Sequence, residues 1–252
     1  MNNATTETTT LRLNVATLFT AVFMAHIAFG ICALTLFWFP AFTRKGSMRH
    51  RQFGVWYSNA MYGVVASAVI MASLSITIPE LVKPEAFANA LDPQKLRASM
   101  MRFSILLLHL ALLTLVSIRY GQLVLKAKKD RTILKQPLQM LITVGLLLSG
   151  LLILHTGLTA SHILMLIFGP LGIFIAITNL MFTFKRTVKP NAWLKEHIGA
   201  YIGSGIGAYT AFISFGGRQI FETSGHLQIT LWVAPGVIGT VFIFFLSRKY
   251  AN

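Results

Sequence analysis

Long uncharged stretches alternate with short polar segments along the whole chain. No charged residue occurs between Arg12 and Arg44, or between Arg51 and Glu80. Each of these stretches exceeds the roughly 20 residues that an α-helix needs to cross about 30 Å of hydrocarbon. The pattern therefore predicts membrane-spanning helices rather than the amphipathic helices of a soluble domain.

The remaining runs raise the predicted number of spans to seven. The run from Lys135 to Lys185 carries no charge and is too long for one span, and the polar segment 155–162 divides it into two. We expect an all-α polytopic bundle of seven transmembrane helices in one domain (15–248), preceded by a mobile polar tail (1–14). The predicted spans are approximately 15–42, 54–78, 101–124, 137–155, 161–183, 197–217 and 227–247.

The loop at 79–100 is the longest predicted on its side of the membrane. Within it, Asp92 is followed directly by Pro93, which is a start signal for a helix. We therefore expect a short surface helix in this loop.

The composition agrees with a membrane protein and excludes several other classes. Hydrophobic residues make up 55% of the chain and charged residues 12%, whereas soluble domains carry about 25% charged residues. The single cysteine, Cys32, excludes an intrachain disulfide and any metal site built from several cysteines.

The net charge of +15 is distributed unevenly between the two predicted sides of the membrane. The segments after spans one, three, five and seven hold 16 of the 22 basic residues, and the other side holds five of the seven acidic ones. The positive-inside rule then places the N-terminus outside and the C-terminus in the cytoplasm. The basic loops are explained by topology and by anionic lipids of the bilayer, so no nucleic-acid partner is expected.

The histidines are the best candidates for chemistry. The chain has no phosphate-binding glycine loop, no His-Glu-x-x-His motif and no close pair of carboxylates. All seven histidines lie in or beside predicted spans: His26, His50, His109, His155, His162, His197 and His226.

Four of these histidines fall into two predicted layers. At 1.5 Å per residue, His26 and His109 lie roughly 12–16 Å below the outer edges of spans one and three. His50 and His197 both lie at the inner starts of spans two and six. Two such layers on antiparallel helices are what a b-type cytochrome needs, because each haem iron takes two axial imidazoles.

Other uses of the same histidines stay open. His50 and His197 lie at an interface, where an imidazole can simply contact water or lipid headgroups. His26 and His109 lie deeper, where an interhelical hydrogen bond is the simpler use. Three converging histidines would bind zinc instead.

Small residues accompany the histidines on their helical faces. Gly30 follows His26 and Gly54 follows His50 at i+4, which leaves room for a flat ring but equally allows helices to approach closely. In span six, small residues recur every four positions and predict a tight helix contact: Gly199, Gly203, Gly207 and Ala211.

Three sequence elements are familiar. The block from His26 to Tyr57 reads HIAFGICAL and then RKGSMRHRQFGVWY. It resembles a family of uncharacterised bacterial membrane proteins, a domain of unknown function, with a His-Ile-x-x-Gly element followed by Lys-Gly-x-x-x-His-Arg-x-x-Gly-x-x-Tyr. The segment WLKEHIGAYIGSGIGAYTAF, from Trp193, is similar to that family's Trp-x-x-x-His element. The resemblance implies His26, His50 and His197 as shared histidines and the bacterial inner membrane as the location, but it implies no activity.

The first functional hypothesis is transmembrane electron transfer through haem b. His50 and His197 would bind an inner haem iron, and His26 with His109 an outer one, with a quinone or another redox partner exchanging electrons. A transporter or small-molecule receptor with proton-sensing histidines is the alternative. A metal-dependent enzyme acting on lipid and a membrane accessory protein are further possibilities, so whether the protein is an enzyme stays open.

Overall fold

The structure is a computed structural model that describes residues 2–216 and 226–250, and within these ranges every regular element is helical. The α-helices are α1 (Asn2–Phe42), α2 (Met48–Thr77), α3 (Pro79–Val82), α4 (Pro84–Ala88), α5 (Pro93–Ala127), α6 (Pro137–Ala160), α7 (Ile163–Phe184), α8 (Ala192–Ala211) and α9 (His226–Tyr250). A 3₁₀ helix (Arg131–Lys135) precedes α6, and a π-helical turn (Phe212–Gly216) continues α8.

Six of the described helices are long and apolar enough to cross a membrane, as judged by length and composition. They are α1, α2, α5, α6, α7 and α9. The prediction of an all-α membrane bundle is confirmed at this level, and a lipid bilayer is the environment that these helices require. The sixth predicted span corresponds to α8, which does not belong to this set of six.

Helix α1 begins earlier than the predicted first span. The polar segment predicted as a tail is helical in its backbone from Asn2 onwards. Threonine side chains farther along α1 bond to the carbonyl oxygen four residues back, as Thr20 does to Ala16 at 2.9 Å. Such bonds satisfy hydroxyl groups within a helix that faces lipid.

The helix start signal at Asp92 is used, but for a longer helix than predicted. The Asp92 side chain accepts a hydrogen bond from the Lys95 amide at 2.9 Å, and Pro93 occupies the first helical position of the 35-residue α5. The surface helices are instead α3 and α4, which precede this signal. Glu80 of α3 forms an ion pair with Arg97 of α5 at 3.2 Å, which ties these segments together.

Helix α5 is the centre of the bundle. It packs against α2 and α8 on one side and against α6 and α7 on the other, while α1 packs on α2 and α9 on α8. At one end of the bundle Leu106 of α5 lies in a cluster with Ile153 and Met165, and at the other end Val124 lies in a cluster with Leu134 and Phe182. The apolar core therefore follows α5 along its length.

Helices α6 and α7 approach each other closely. Only Ser161, in the left-handed conformation at φ 50°, and His162 separate them. Gly150 and Gly169 lie where the two helices cross, and a Cβ atom on Gly169 would lie 2.8 Å from the backbone nitrogen of Leu154. Main chain thus packs directly against main chain, as small residues permit in membranes.

The predicted packing stripe of α8 has the wrong register. In the part of the chain that the structure describes, no atom of another helix lies within 4 Å of the Cβ position of Gly199, Gly203 or Gly207, so these glycines mediate no close contact there. The close contact falls on Gly205 instead, where the Phe37 ring of α1 fills the space that a side chain would need. The four-residue repeat marks a face of small residues on α8, but it does not indicate which face of α8 packs against the neighbouring helices.

We predict that Gly150→Ala destabilises the bundle and that Gly145→Ala, in the same helix, does not. A Cβ atom on Gly150 would lie 3.0 Å from the carbonyl oxygen of Gly169, a main-chain atom that cannot move without displacing α7. At Gly145 the nearest atom lies 3.8 Å away, an ordinary contact. Overpacking costs about 1–3 kcal/mol. The thermal unfolding temperature in detergent should therefore fall for Gly150→Ala only, and equal temperatures for the two variants would contradict this packing.

Candidate functional site

Two of the predicted histidines, His50 and His197, lie at the same end of the bundle, in the first two turns of α2 and α8. Ser47 caps α2 and accepts a hydrogen bond from the His50 amide at 3.2 Å, which places His50 in the first turn of that helix. His197 lies in the second turn of α8. Both imidazoles are partly buried, and they lie within electrostatic range of each other.

Each of these imidazoles is held by one nitrogen. His50 Nδ1 lies 3.1 Å from the carbonyl oxygen of Pro40, and His197 Nδ1 lies 3.1 Å from the carbonyl oxygen of Gly121. Because a carbonyl oxygen can only accept, Nδ1 carries the proton in both rings and Nε2 keeps its lone pair. Among the described residues, no hydrogen-bond partner contacts either Nε2. A histidine that binds a metal ion has this same arrangement.

The two carbonyl groups are available as acceptors for different structural reasons. Pro40 lies in the last turn of α1, where carbonyl groups lack helical amide partners. Its oxygen also accepts from Lys45 Nζ at 2.8 Å, and burial, together with the nearby Lys249, lowers the pKa of Lys45. Gly121 lies inside α5, where the absence of a side chain lets α8 approach, since a Cβ atom there would lie 2.7 Å from the Tyr201 ring.

Two pairs of hydroxyl groups join α2 to α8, and one of them includes a tyrosine that contacts His197. Tyr57 OH and Ser204 Oγ are 2.8 Å apart, and so are Ser58 Oγ and Tyr201 OH. The Tyr201 ring also packs on His197, with 4.6 Å between the ring centroids. Since Tyr57 is only 1% exposed, this side of the site is closed to solvent within the chain.

A carboxylate that the sequence analysis missed lies beside His197. Glu196 is half-buried and accepts a hydrogen bond from Tyr120 OH of α5 at 3.0 Å. In the sequence, Glu196 is a charged residue directly before a predicted span, which gives no sign of a partner on another helix. Tyr120 lies inside predicted span three and Glu196 just outside predicted span six, so depth along the helices did not pair these two residues.

His26 also forms a hydrogen bond through Nδ1. Its Nδ1 lies 2.9 Å from Ser67 Oγ, and that hydroxyl donates to the Gly63 carbonyl at 2.7 Å. Ser67 therefore accepts from His26, and the main-chain carbonyl of Val64 is a second hydrogen-bond partner of the same ring. Among the described residues, no atom of another helix lies within 4 Å of the Cβ position of Gly30 on the same face, so this glycine mediates no close helix contact there.

His109 differs from His50 and His197 because both of its nitrogens are bonded. Nδ1 lies 2.8 Å from Ser149 Oγ of α6, and Nε2 lies 3.0 Å from the Phe168 carbonyl of α7. The side chain is 2% exposed. Its contacts are with α6 and α7, whereas those of His26 are with α2, and no hydrogen bond joins the two histidines. The alternative use of a deep histidine, an interhelical hydrogen bond, describes His109 as the structure has it.

The remaining histidines do not join this site. His155 is exposed near the end of α6, and His162 directly precedes α7. The His226 side chain lies outside the described residues. In the described part of the chain, no group of three or more His, Cys, Asp or Glu side chains could hold one metal ion, so the three-histidine zinc alternative has no site there.

We predict that Tyr120→Phe lowers the stability of the folded protein more than Glu196→Gln does. The phenylalanine leaves a half-buried carboxylate without its hydroxyl donor, which costs roughly 1–3 kcal/mol. The glutamine keeps an oxygen that accepts from Tyr120. Thermal unfolding of both variants in the same detergent checks this order, and a reversed order would show that the carboxylate gains nothing from Tyr120.

Comparison with known proteins adds no assignment to this geometry. No protein-family model matches the chain, and neither a curated protein nor a solved structure is significantly similar to it.

Proposed function

We propose that this protein binds a b-type haem through His50 and His197 and carries electrons in the membrane. The observation that carries the proposal is the shared bonding pattern of the two imidazoles. Each donates Nδ1–H to a main-chain carbonyl and keeps Nε2 free, which orients the ring and strengthens it as a ligand.

A b-type haem takes two axial imidazoles from the protein, and His50 and His197 could supply both. Among the described residues, no atom of another helix lies within 4 Å of the Cβ position of Gly54, one turn after His50, which supports the proposal of room for a ring on this face. When bound, haem supplies a one-electron redox centre. A quinone or another redox partner is proposed as the source of these electrons.

The chain's own groups have separate tasks in this proposal. The Pro40 and Gly121 carbonyls hold the two rings in one tautomer. Tyr57 and Tyr201 exclude water on the side of α2 and α8. The Tyr120–Glu196 pair holds a proton one residue away from His197 in the chain.

The proposal includes α8 as a seventh span. Helix α7 ends at Phe184, beside the cluster of Val124 and Phe182, whereas Trp232 of α9 packs near Leu106 at the opposite end of the bundle. The chain must cross the bundle between these points. Helix α8 and its π-helical turn together extend roughly 37 Å at 1.5 Å per residue, which exceeds the ~30 Å of hydrocarbon.

The proposed orientation follows from the charges. With seven spans, the basic segments share one side, so the N-terminus lies outside and the C-terminus lies in the cytoplasm. His50 and His197 then lie near the cytoplasmic face. The resemblance of the His26–Tyr57 block to bacterial proteins supports the bacterial inner membrane as the location.

An outer haem between His26 and His109 stays a prediction. His109 would have to give up a hydrogen bond to Ser149 or to Phe168 before it could act as a ligand. The inner pair needs no such exchange, and we therefore restrict the proposal to it.

A transporter or receptor is the second candidate. Its support is the polar network that crosses α2, α5 and α8, which includes Tyr62 OH donating to Gln122 Oε1 at 2.8 Å. Such a network can bind a polar molecule or pass protons beside the histidines.

The test is the visible absorption spectrum of purified, haem-supplemented protein before and after reduction. The wild type is expected to hold equimolar haem and to give a sharp band on reduction. His50→Ala and His197→Ala should each lose most of that band, because either change removes an axial ligand. A featureless spectrum from folded wild-type protein would overturn the proposal and leave the transport candidate.

His155→Ala is the matched control, because this exposed histidine lies outside the inner pair. Its spectrum should equal that of the wild type. Imidazole added to His197→Ala should restore part of the band, which distinguishes a missing ligand from a missing fold. Equal loss in His155→Ala would contradict the assignment of the ligands.

A further inference from the structure

A basic pocket lies at the end of α7, apart from the histidine site. The 3₁₀ helix Arg131–Lys135 covers the last turn of α7 and the loop that follows. The Arg131 guanidinium donates to the carbonyl oxygens of Phe182 at 2.6 Å and Arg186 at 3.3 Å, and it stacks over the Phe182 ring. This one side chain holds both segments together around a pocket of about 400 Å³.

The pocket concentrates positive charge without neutralising it. Its lining includes five basic side chains and one acidic one: Lys129, Arg131, Lys135, Lys185, Arg186 and Asp130. Among the described residues, no carboxylate lies within ion-pair distance of any of the five. Hydrogen bonds from Thr132, helped by Lys135, lower the pKa of Asp130, so Asp130 stays charged and the pocket still carries an excess of four positive charges.

Exposed apolar side chains begin directly beside the pocket. Phe184 is part of its lining and is 59% exposed, and Met181, one turn earlier in α7, is 67% exposed. Leu138 and Leu141, at the start of α6, are 52% and 70% exposed. Helix α6 begins only two residues after Lys135, so the charged pocket and the lipid-facing surface adjoin.

We propose that this pocket binds the phosphate of an anionic phospholipid whose acyl chains lie along α6 and α7. The basic side chains complement the phosphate, and a polar pocket continuous with an exposed apolar surface matches an amphipathic ligand. A soluble anion would use the charges but would gain nothing from Leu138, Leu141, Met181 and Phe184. This geometry also distinguishes the site from basic residues that serve topology alone, because those need no shared concave surface.

Native mass spectrometry of the full-length protein tests the proposal. The detergent-purified protein is mixed with dioleoylphosphatidylglycerol or dioleoylphosphatidylcholine, and the lipid that stays bound is measured. We expect one phosphatidylglycerol to stay bound in preference to phosphatidylcholine. The triple variant Lys135→Gln, Lys185→Gln, Arg186→Gln should weaken that binding at least about tenfold, given the contribution of each basic residue to anionic-lipid binding.

A variant of equal charge outside the pocket is the control. Arg44→Gln, Arg49→Gln, Arg248→Gln removes three basic residues predicted on the same side and should keep wild-type binding. Asp130→Asn, which keeps the side-chain oxygen that caps the 3₁₀ helix, should strengthen binding because it removes the only acidic group of the pocket. This variant provides a test even if the triple variant fails to fold.

Three outcomes would overturn the proposal. The first is equal phosphatidylglycerol binding by the wild type and a folded triple variant. The second is an equal loss in the control variant, which would show unspecific attraction by the basic face. The third is displacement of the lipid by millimolar inorganic phosphate, because a site that uses the apolar surface should favour the lipid over the free anion.

Discussion

The close approach of α8 to α5 is the constraint on which the inner half of this structure depends. Gly121 allows it, since any side chain there would collide with Tyr201. The same approach brings His197 within hydrogen-bond distance of the Gly121 carbonyl and Glu196 within reach of Tyr120. Without water, each of these polar groups must find its partner inside the bundle. Closing the gap between two helices therefore fixes the positions of the candidate ligand and of its neighbouring acid together.

The two halves of the bundle use polar groups differently. Around α6 and α7, both ring nitrogens of His109 form hydrogen bonds to neighbouring helices, so this side chain links α5 to α6 and α7. Around α2 and α8, His50 and His197 each form a hydrogen bond through Nδ1, and Nε2 has no partner among the described residues. The electron-transfer proposal rests on this difference between His109 and the pair of His50 and His197.

Much of the fold could be predicted from the sequence because a helix that crosses a membrane must be long and almost free of charge. Uncharged runs marked the six apolar helices, and the Asp92 and Pro93 pair marked the start of α5. The failures concern rotation and depth. The glycine repeat of α8 did not indicate that Gly205 would face Phe37, because helical periodicity does not name a neighbour. Glu196 was missed because a charge at the edge of a span is read as solvent-exposed until its partner on another helix is known.

The turn between α6 and α7 has a consequence for how the protein is made. With only Ser161 and His162 between them, the two helices stay next to each other from the moment both are made. We therefore expect the Gly150–Gly169 crossing to form early, because the short turn leaves almost no chain entropy to lose when the helices meet. The less apolar α8, synthesised afterwards, then meets a partner surface already in place. The strongly apolar helices are thus made before α8 and can provide hydrogen-bond partners for its polar groups.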